Sequence, residues 1–103
     1  MNSNPRGNIQ LEFWMADRLG WRGPHPLIIE EPLVEADTLF SVLTRLAEKF
    51  PEFPESVFNP ETHSLSSEVT IVVNDTVQNM SAGLGRKLKE GDRILFLPII
   101  AGG

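Results

Sequence analysis

Cysteine is absent from the 103-residue chain, and histidine occurs only twice. A chain without cysteine can form no disulfide, no cysteine nucleophile and no thiolate metal site. The two histidines, His25 and His63, lie far apart in turn-like sequence with few partner groups nearby, so both are interpreted as ordinary surface residues. Neither a metal site nor a catalytic centre is therefore expected from these side chains.

Basic residues and long apolar runs are also scarce. Nine Lys and Arg stand against fourteen Asp and Glu, which gives a formal net charge of −5. Phosphate backbones repel such a surface, so a basic protein surface is a more natural partner than nucleic acid. No apolar run has the length of a membrane span, and residues 1–8 lack the apolar stretch of a signal peptide. We therefore expect a cytoplasmic protein with no membrane partner.

The remaining composition is that of a small globular domain. Hydrophobic residues make up 41% of the chain and charged residues 22%, close to ordinary values. We assign the domain to residues 9–98, preceded by a disordered lead-in at 1–8. Residues 99–103 are assigned to a flexible C-terminal tail.

Two apolar stretches near the N-terminus predict an antiparallel hairpin. Over residues 9–15, side chains alternate with the period of a strand that has one strongly apolar face. A second apolar stretch occupies 26–31. Between them, residues 17–24 hold two glycines and a proline, which favour a turn.

A helix is predicted to begin at Asp37 or Thr38, either of which can cap its first turn. Apolar side chains recur on one helical face and are interpreted as core: Leu39, Val42, Leu43, Leu46, Ala47 and Phe50. Pro51 disfavours the helical conformation of the residue before it and so ends the helix.

Two features beside these elements have less definite interpretations. The carboxylates before the helix form an acidic patch that is interpreted as solvated surface: Glu30, Glu31, Glu35 and Asp37. Trp21 lies in the predicted turn, where its indole could cover an edge of the core or form an exposed contact. The residue pattern leaves both alternatives for Trp21 open.

The C-terminal half predicts the rest of a sheet. Residues 51–68 contain three prolines, which indicates an irregular connection with a possible short hairpin near 59–64. A strand at 69–73, a tight turn and a short strand at 76–78 follow. After a mixed loop at 79–90, the nearly continuous apolar run 93–97 is typical of a central strand. The order predicts an α+β roll, with about five strands in a mixed sheet, one main helix on one face, and the first and last strands adjacent and parallel.

A pair of glycines ends the chain shortly after this last strand. Pro98 cannot donate a ladder hydrogen bond, so pairing is expected to weaken there and the chain to leave the sheet at Ile99. Glycine has no Cβ, so Gly102 and Gly103 could thread a narrow channel. An inert, frayed end is the alternative, and the position directly after a buried strand favours the functional interpretation.

The last sixteen residues, LKEGDRILFLPIIAGG at 88–103, resemble the C-terminus of the MoaD/ThiS family of sulfur carriers, which share the ubiquitin-like β-grasp fold. Residues 72–75 resemble the family's valine-asparagine-glycine turn, with Asp75 where glycine is commoner. The resemblance is specific over about residues 69–103, and over 9–50 it rests on the order and pattern of elements. The long connection at 51–68 is more similar to the MoaD branch, or to the related archaeal and eukaryotic ubiquitin-like modifiers, than to the typically shorter ThiS proteins.

The resemblance implies that the chain is a protein co-substrate and not an enzyme by itself. An E1-like partner would adenylate the Gly103 carboxylate, and a sulfur donor would convert it into a thiocarboxylate. ATP would be used by the partner, so this chain would bind no cofactor. Ala101 and Gly102 would complete the reactive tail. Bound to a MoaE-like large subunit, the chain would be the small subunit of molybdopterin synthase in molybdenum cofactor biosynthesis.

The resemblance also implies a docking surface. Alignment from the Gly-Gly end places Leu97 where the family has an exposed hydrophobic contact for its partners, and Ile99 is assigned to the same contact. Ile94 and Phe96 would then face the core, although ordinary core packing is an alternative for Leu97. Three other functions remain open: a protein modifier conjugated to lysines through Gly103, a ThiS-type carrier for thiamine thiazole synthesis or another sulfur acceptor, and an interaction module with an inert tail.

Overall fold

The computed structural model describes residues 7–78 and 83–99. Its strands and helices follow the predicted order, with a 3-10 turn at Ala16–Leu19 after the first strand. They are β1 (Asn8–Phe13), β2 (Leu27–Pro32), α1 (Leu39–Lys49), α2 (Phe53–Ser56), β3 (Phe58–Asn59), β4 (Ser64–Leu65), β5 (Val69–Val73), β6 (Thr76–Val77) and β7 (Arg93–Pro98).

The main sheet has five strands in the order β2-β1-β7-β5-β6. Strands β1 and β7 pair in parallel, and the other neighbours are antiparallel. The predicted α+β roll, with its first and last strands adjacent and parallel, is therefore confirmed. The nearly continuous apolar sequence of β7 has its physical reason in this central position, where both neighbouring strands exclude water from its edges.

The core lies between one face of the sheet and α1. Phe13 of β1 stacks on Phe96 of β7 with ring centroids 4.5 Å apart, directly across the parallel register. Four helix positions at a spacing of three to four residues are fully buried against them: Leu39, Val42, Leu43 and Leu46. The predicted apolar stripe is thus the inner face of α1, while Ala47 and Phe50 lie partly buried at its margin.

Thr38 caps α1, which decides between the two predicted caps. Its hydroxyl accepts from the Ser41 N–H, and the Ser41 hydroxyl accepts from the Thr38 N–H, so that two otherwise unpaired donors are satisfied. The loop before β7 supplies further acceptors, because the Leu39 N–H donates to the Arg86 carbonyl at 3.0 Å and the Phe40 N–H to that of Leu84 at 2.9 Å. This loop is therefore part of the helix terminus as well as a connection.

Several predicted boundaries were wrong by a few residues. Strand β1 begins at Asn8, which had been assigned to the lead-in, because Asn8 pairs with Pro32 and its carbonyl accepts from the Gly91 N–H. It ends at Phe13, although Met15 remains buried, because the chain turns there into the short 3-10 segment. The connection at 51–68 contains the predicted hairpin, β3 with β4, and also the unpredicted helical turn α2.

The acidic patch was interpreted wrongly at two of its four positions. Glu31 and Asp37 are buried, with only 3% and 4% of their surfaces exposed. Both accept from the Arg45 guanidinium, at 3.1 Å to Glu31 and at 2.7 Å to Asp37, and the Lys49 ammonium donates to Glu31 at 2.8 Å. Glu31 therefore ties β2 to α1, and Asp37 ties the segment before α1 to Arg45 within the helix.

A strained backbone position precedes that cap and allows a stability prediction. Ala36 has φ of 69°, in the left-handed region where a Cβ is unfavourable. We expect Ala36→Gly to raise the free energy of unfolding by about 0.5–1 kcal/mol, after the entropic cost of glycine is subtracted. Ala47→Gly, inside α1, is the matched control and should lower it by about 1 kcal/mol. Urea denaturation measures both, and equal destabilisation by the two changes would contradict the assigned strain.

Candidate functional site

The residue that follows β7 is hydrogen-bonded to the residue that precedes β5. Val69 pairs with Pro98, and the Ile99 N–H donates to the Glu68 carbonyl at 2.8 Å. As expected, strand β7 and its register with β5 end at Pro98, but Ile99 makes one further hydrogen bond, to the residue before β5. The Arg18 guanidinium also reaches Glu68, 3.3 Å from its carboxylate.

The predicted site residues are only partly among those that the structure describes. Leu97 is half-buried at the end of β7, and Ile99 is 45% exposed directly after it. Ala101, Gly102 and Gly103 lie outside the described residues. The structure therefore places the base of the tail and the two assigned contact residues, and brings Leu97 and Ile99 next to each other.

Leu97 lies on the face of the sheet that α1 does not cover. Side chains alternate along β7, so Ile94 and Phe96 are buried in the core while Leu95 and Leu97 point to the opposite face. In the register with β5, Leu95 is paired with Val72 and Leu97 with Thr70. The prediction that Ile94 and Phe96 face the core is confirmed. We call Leu95, Leu97, Thr70 and Val72 the open face.

Trp14 is a candidate contact that sequence reasoning missed. Its N–H donates to the Phe96 carbonyl at 2.9 Å, so the pairing of β1 with β7 extends by one residue and sets Trp14 beside Leu97. The side chain is 45% exposed. A tryptophan among the polar residues of an alternating strand was the available signal, since aromatic side chains are enriched in interface centres.

An ion pair between Glu12 and Arg93 lies on the same side of the sheet as the open face. Glu12 is only 6% exposed although it lies on this side of the sheet. The hydrogen bond from Arg93 lowers the pKa of Glu12, and bonds from Gln10 and Trp14 add to this, against the raising effect of burial. The Arg93 Nε lies 3.1 Å from the carboxylate, and Glu12 raises the pKa of Arg93 in return. The face therefore presents apolar side chains around a carboxylate whose charge is already compensated.

Trp21 belongs to a separate local structure. Its indole N–H donates to the Pro24 carbonyl at 2.8 Å, and its ring packs against Gly23 so closely that a Cβ there would lie 2.4 Å from it. The ring is 37% exposed and not part of the core cluster. Of the two alternatives, coverage of a core edge is thus not observed, and Trp21 holds its own loop together.

The described part of the chain lacks both a cluster of metal ligands and a helix that could span a membrane. Residues 7–78 and 83–99 contain no group of three or more His, Asp and Glu that could hold a metal ion. In the same ranges, no helix has the length and apolar character needed to cross a membrane.

Comparison with known proteins places this architecture in a family. The model of the ThiS family matches residues 28–103, which is most of the chain. The sulfur carrier protein CysO of Mycobacterium tuberculosis is 34% identical over 68 residues, covering 65% of this chain and 73% of that protein. CysO of Mycobacterium bovis matches to the same extent.

Solved structures share the fold at low identity. SAMP1 from Haloferax volcanii superimposes with a TM-score of 0.70 at 19% identity, over 94% of this chain and 100% of that one. Urm1 from Trypanosoma brucei gives 0.66 at 19% identity over the whole of both chains. A putative molybdopterin converting factor subunit 1 from Pyrococcus furiosus gives 0.59 at 19% identity, over 91% and 99% of the two chains. The fold is therefore the predicted β-grasp, and the chain belongs to the ThiS family of ubiquitin-like sulfur carrier proteins.

Proposed function

We propose that this protein carries sulfur as a thiocarboxylate on Gly103. The observation that carries the proposal is the family match, which extends from residue 28 through Gly103 itself. The CysO relative, named as a sulfur carrier, supports it further. Because the chain has no cysteine, the terminal acyl carbon is the available position for covalently held sulfur.

The chemistry requires activation by a partner. A carboxylate is a poor electrophile at neutral pH, so an E1-like enzyme would transfer AMP from ATP to the Gly103 carboxylate and release pyrophosphate. Hydrosulfide supplied by a sulfur donor then attacks the acyl carbon, the C–O bond to AMP breaks, AMP leaves, and the thiocarboxylate remains on the chain. In this scheme the protein is a co-substrate, and the nucleotide is bound by its partner.

The open face supplies the docking surface in this proposal. Leu97 lies beside Trp14 at the end of β7, and the Ile99 N–H that follows donates to the Glu68 carbonyl just before β5. A rigid base limits the orientations in which the tail can leave, so less freedom is lost when a partner engages it. Leu95 and the compensated Glu12–Arg93 pair extend the surface without an unpaired charge.

For the receiving pathway we propose molybdopterin synthesis, with a MoaE-like large subunit as acceptor. The long connection at 51–68, which resembles that of the MoaD branch, supports this assignment, while the fold is shared with the Pyrococcus protein, SAMP1 and Urm1 alike. A carrier for thiazole synthesis and a modifier that forms isopeptide bonds would use the same Gly103 acyl group. They are outcomes of the experiment that follows.

Mass spectrometry tests the proposal. The protein isolated from its native host should contain a fraction that is heavier by the difference between sulfur and oxygen, located on the C-terminal peptide. Purified protein incubated with the host's E1-like enzyme, ATP and sulfide should acquire the same increment. Gly-Gly remnants on lysines of other proteins, without any thiocarboxylate, would assign the modifier function instead.

The docking surface makes a second, independent prediction. Leu97→Asp places a charge beside Trp14, and we expect kcat/KM for adenylation to fall about thirtyfold, the loss typical of one central interface residue. Val34→Asp is the control, since Val34 is 41% exposed in the turn before α1, near Leu88 and Lys89 at the opposite end of β7, and should leave the rate unchanged. Equal rates for both variants, with unchanged unfolding midpoints, would exclude Leu97 from the interface.

A further inference from the structure

Strand β2 forms one edge of the main sheet, and its hydrogen bonds fix which backbone groups face outward. The Leu33 N–H donates to the Gly7 carbonyl, so residues 7 and 33 form a hydrogen-bonded pair of the β1–β2 ladder. Such pairs alternate with non-bonded ones in antiparallel strands. Leu27, Ile29 and Glu31 therefore bond to β1, whereas the N–H and carbonyl groups of Ile28 and Glu30 point away from the sheet.

These outward groups have no partner among the residues that the structure describes, which leaves a short stretch of edge open to pairing. The stretch ends at Pro32, which has no N–H and whose carbonyl accepts from Arg45 at 3.3 Å. Ile28 and Glu30 thus offer two N–H donors and two carbonyl acceptors, spaced as they would be for pairing with an added antiparallel strand.

The side chains of this stretch are apolar and unusually accessible for an edge. Ile28 is 54% exposed, and Leu27 and Ile29 pack against the core while remaining half-buried. An added strand would cover Ile28 on one side of the sheet and Ile29 on the other. Contacts of this cross-strand kind stabilise a pair of strands by about 0.2–1 kcal/mol each.

The exposed charge along the β2 edge determines which kind of segment would bind there. Glu31 is buried and neutralised by Arg45 and Lys49, but Glu30 is exposed next to the apolar stretch, and no ion pair of Glu30 is present in the described structure. On an added strand, Lys or Arg is therefore favoured at the position opposite Glu30. The net charge of −5 repels a second copy of the chain and acts in the same direction.

We propose that the β2 edge binds an extended segment of a partner protein by strand addition. The segment runs antiparallel to β2, with a basic residue opposite Glu30 followed by apolar residues opposite Ile29, Ile28 and Leu27. This function goes beyond sulfur transfer and does not use the tail. Because β1 lies between β2 and β7, one partner can occupy the edge while another holds the C-terminus.

The experiment uses the full chain and a capped peptide, Gly-Lys-Val-Val-Val-Gly, as the probe. Titration followed by NMR should shift the amide signals of Ile28 and Glu30 and slow their exchange with solvent, since these N–H groups become hydrogen-bonded. A peptide with Glu in place of Lys should bind about threefold more weakly at low salt, the effect of one exposed ion pair, and high salt should remove the difference.

Variants separate the edge from other surfaces. Ile28→Lys should weaken the probe about fivefold, the loss of one cross-strand contact. Val77→Lys, at an exposed apolar residue on the opposite edge strand, should not change binding. A protein that lacks Gly102 and Gly103 should bind the probe normally, so loss of sulfur transfer and loss of strand addition are distinguishable.

Three results would overturn the proposal. The first is a set of NMR shifts that map to residues outside β2. The second is equal affinity for the Lys and Glu peptides at low salt. The third is sedimentation of the protein alone as a dimer that Ile28→Lys dissociates, which would assign the edge to a second copy of the chain.

Discussion

A chain shortened by Gly102 and Gly103 is expected to lose adenylation and thiocarboxylate formation completely. The reacting group in the proposed mechanism is the Gly103 carboxylate, and the truncated chain presents the wrong carboxylate too close to the folded domain. Its stability should not change, because Ile99, whose N–H donates to the Glu68 carbonyl, remains in the shortened chain. ATP–pyrophosphate exchange with the E1-like enzyme and thermal unfolding measure the two properties.

An appended residue sharpens the same test. One alanine added after Gly103 keeps both glycines but moves the carboxylate by about 3.3–3.6 Å, the length of one extended residue. We expect this variant to be as inactive as the truncated chain. Full activity in either variant would show that the tail is inert and would leave the chain an interaction module.

Arg45→Ala is expected to have the largest effect on stability outside the apolar core. The guanidinium donates to Asp37 at 2.7 and 3.0 Å and to Glu31 at 3.1 Å, and both carboxylates are almost fully buried. Removal of one partner of a buried ion pair costs about 3–5 kcal/mol. Arg45 is partly exposed and both acids keep other donors, so we expect a loss of about 2–3 kcal/mol in the free energy of unfolding.

Lys49→Ala is the matched control. Lys49 contacts the same buried Glu31 at 2.8 Å, but its side chain is 53% exposed. Water screens such a pair and the long side chain loses entropy when it is held, so we expect a loss below about 1 kcal/mol. Urea denaturation compares the two variants, and equal losses would show that Arg45 contributes no more than an exposed pair.

The effect of Arg45→Ala should also depend on pH. Burial raises the pKa of Asp37, but hydrogen bonds from Arg45, the Val34 N–H and Ser41 outweigh it and lower the pKa overall from its ordinary 3.8. A carboxyl whose pKa is lower in the folded state stabilises the fold above its unfolded pKa, and this contribution is lost as the pH falls through the folded pKa. The difference in the free energy of unfolding between wild type and Arg45→Ala should therefore be largest at about pH 7 and should become smaller below about pH 4. A difference that stays constant on acidification would contradict the assigned role of Asp37.

The layout of the fold could be predicted because local patterns and global packing agree. Alternation over β1, the stripe of α1 and the apolar run of β7 each have a single arrangement that buries their apolar faces. That arrangement is the observed sheet with the helix on one side. The position of Leu97 was implied by the family resemblance, and the alternation along β7 agrees with it, since Ile94 and Phe96 occupy the core side of the strand.

Polar residues were predicted less well, because their environment depends on partners distant in the chain. Glu31 and Asp37 were predicted to lie in a solvated patch, yet both are buried. Their burial is favourable because of Arg45, which is fourteen residues from Glu31 and eight from Asp37. Trp14 read as part of a polar alternation, and only the parallel pairing with β7 sets it beside Leu97. No local pattern encodes contacts of this kind.

The amino-acid pattern alone thus determined the α+β layout of strands and helix, because that layout depends on periodicity, and the resemblance of residues 69–103 indicated the family that the comparisons then showed. Tertiary structure decided the surroundings of these elements. Ile99 is bonded to Glu68 just before β5, Trp14 lies beside Leu97 at the end of β7, and the β2 edge keeps two residues open for pairing. These features depend on which strands become neighbours and in which register, and strand neighbours and register are properties of the folded sheet that no single segment contains.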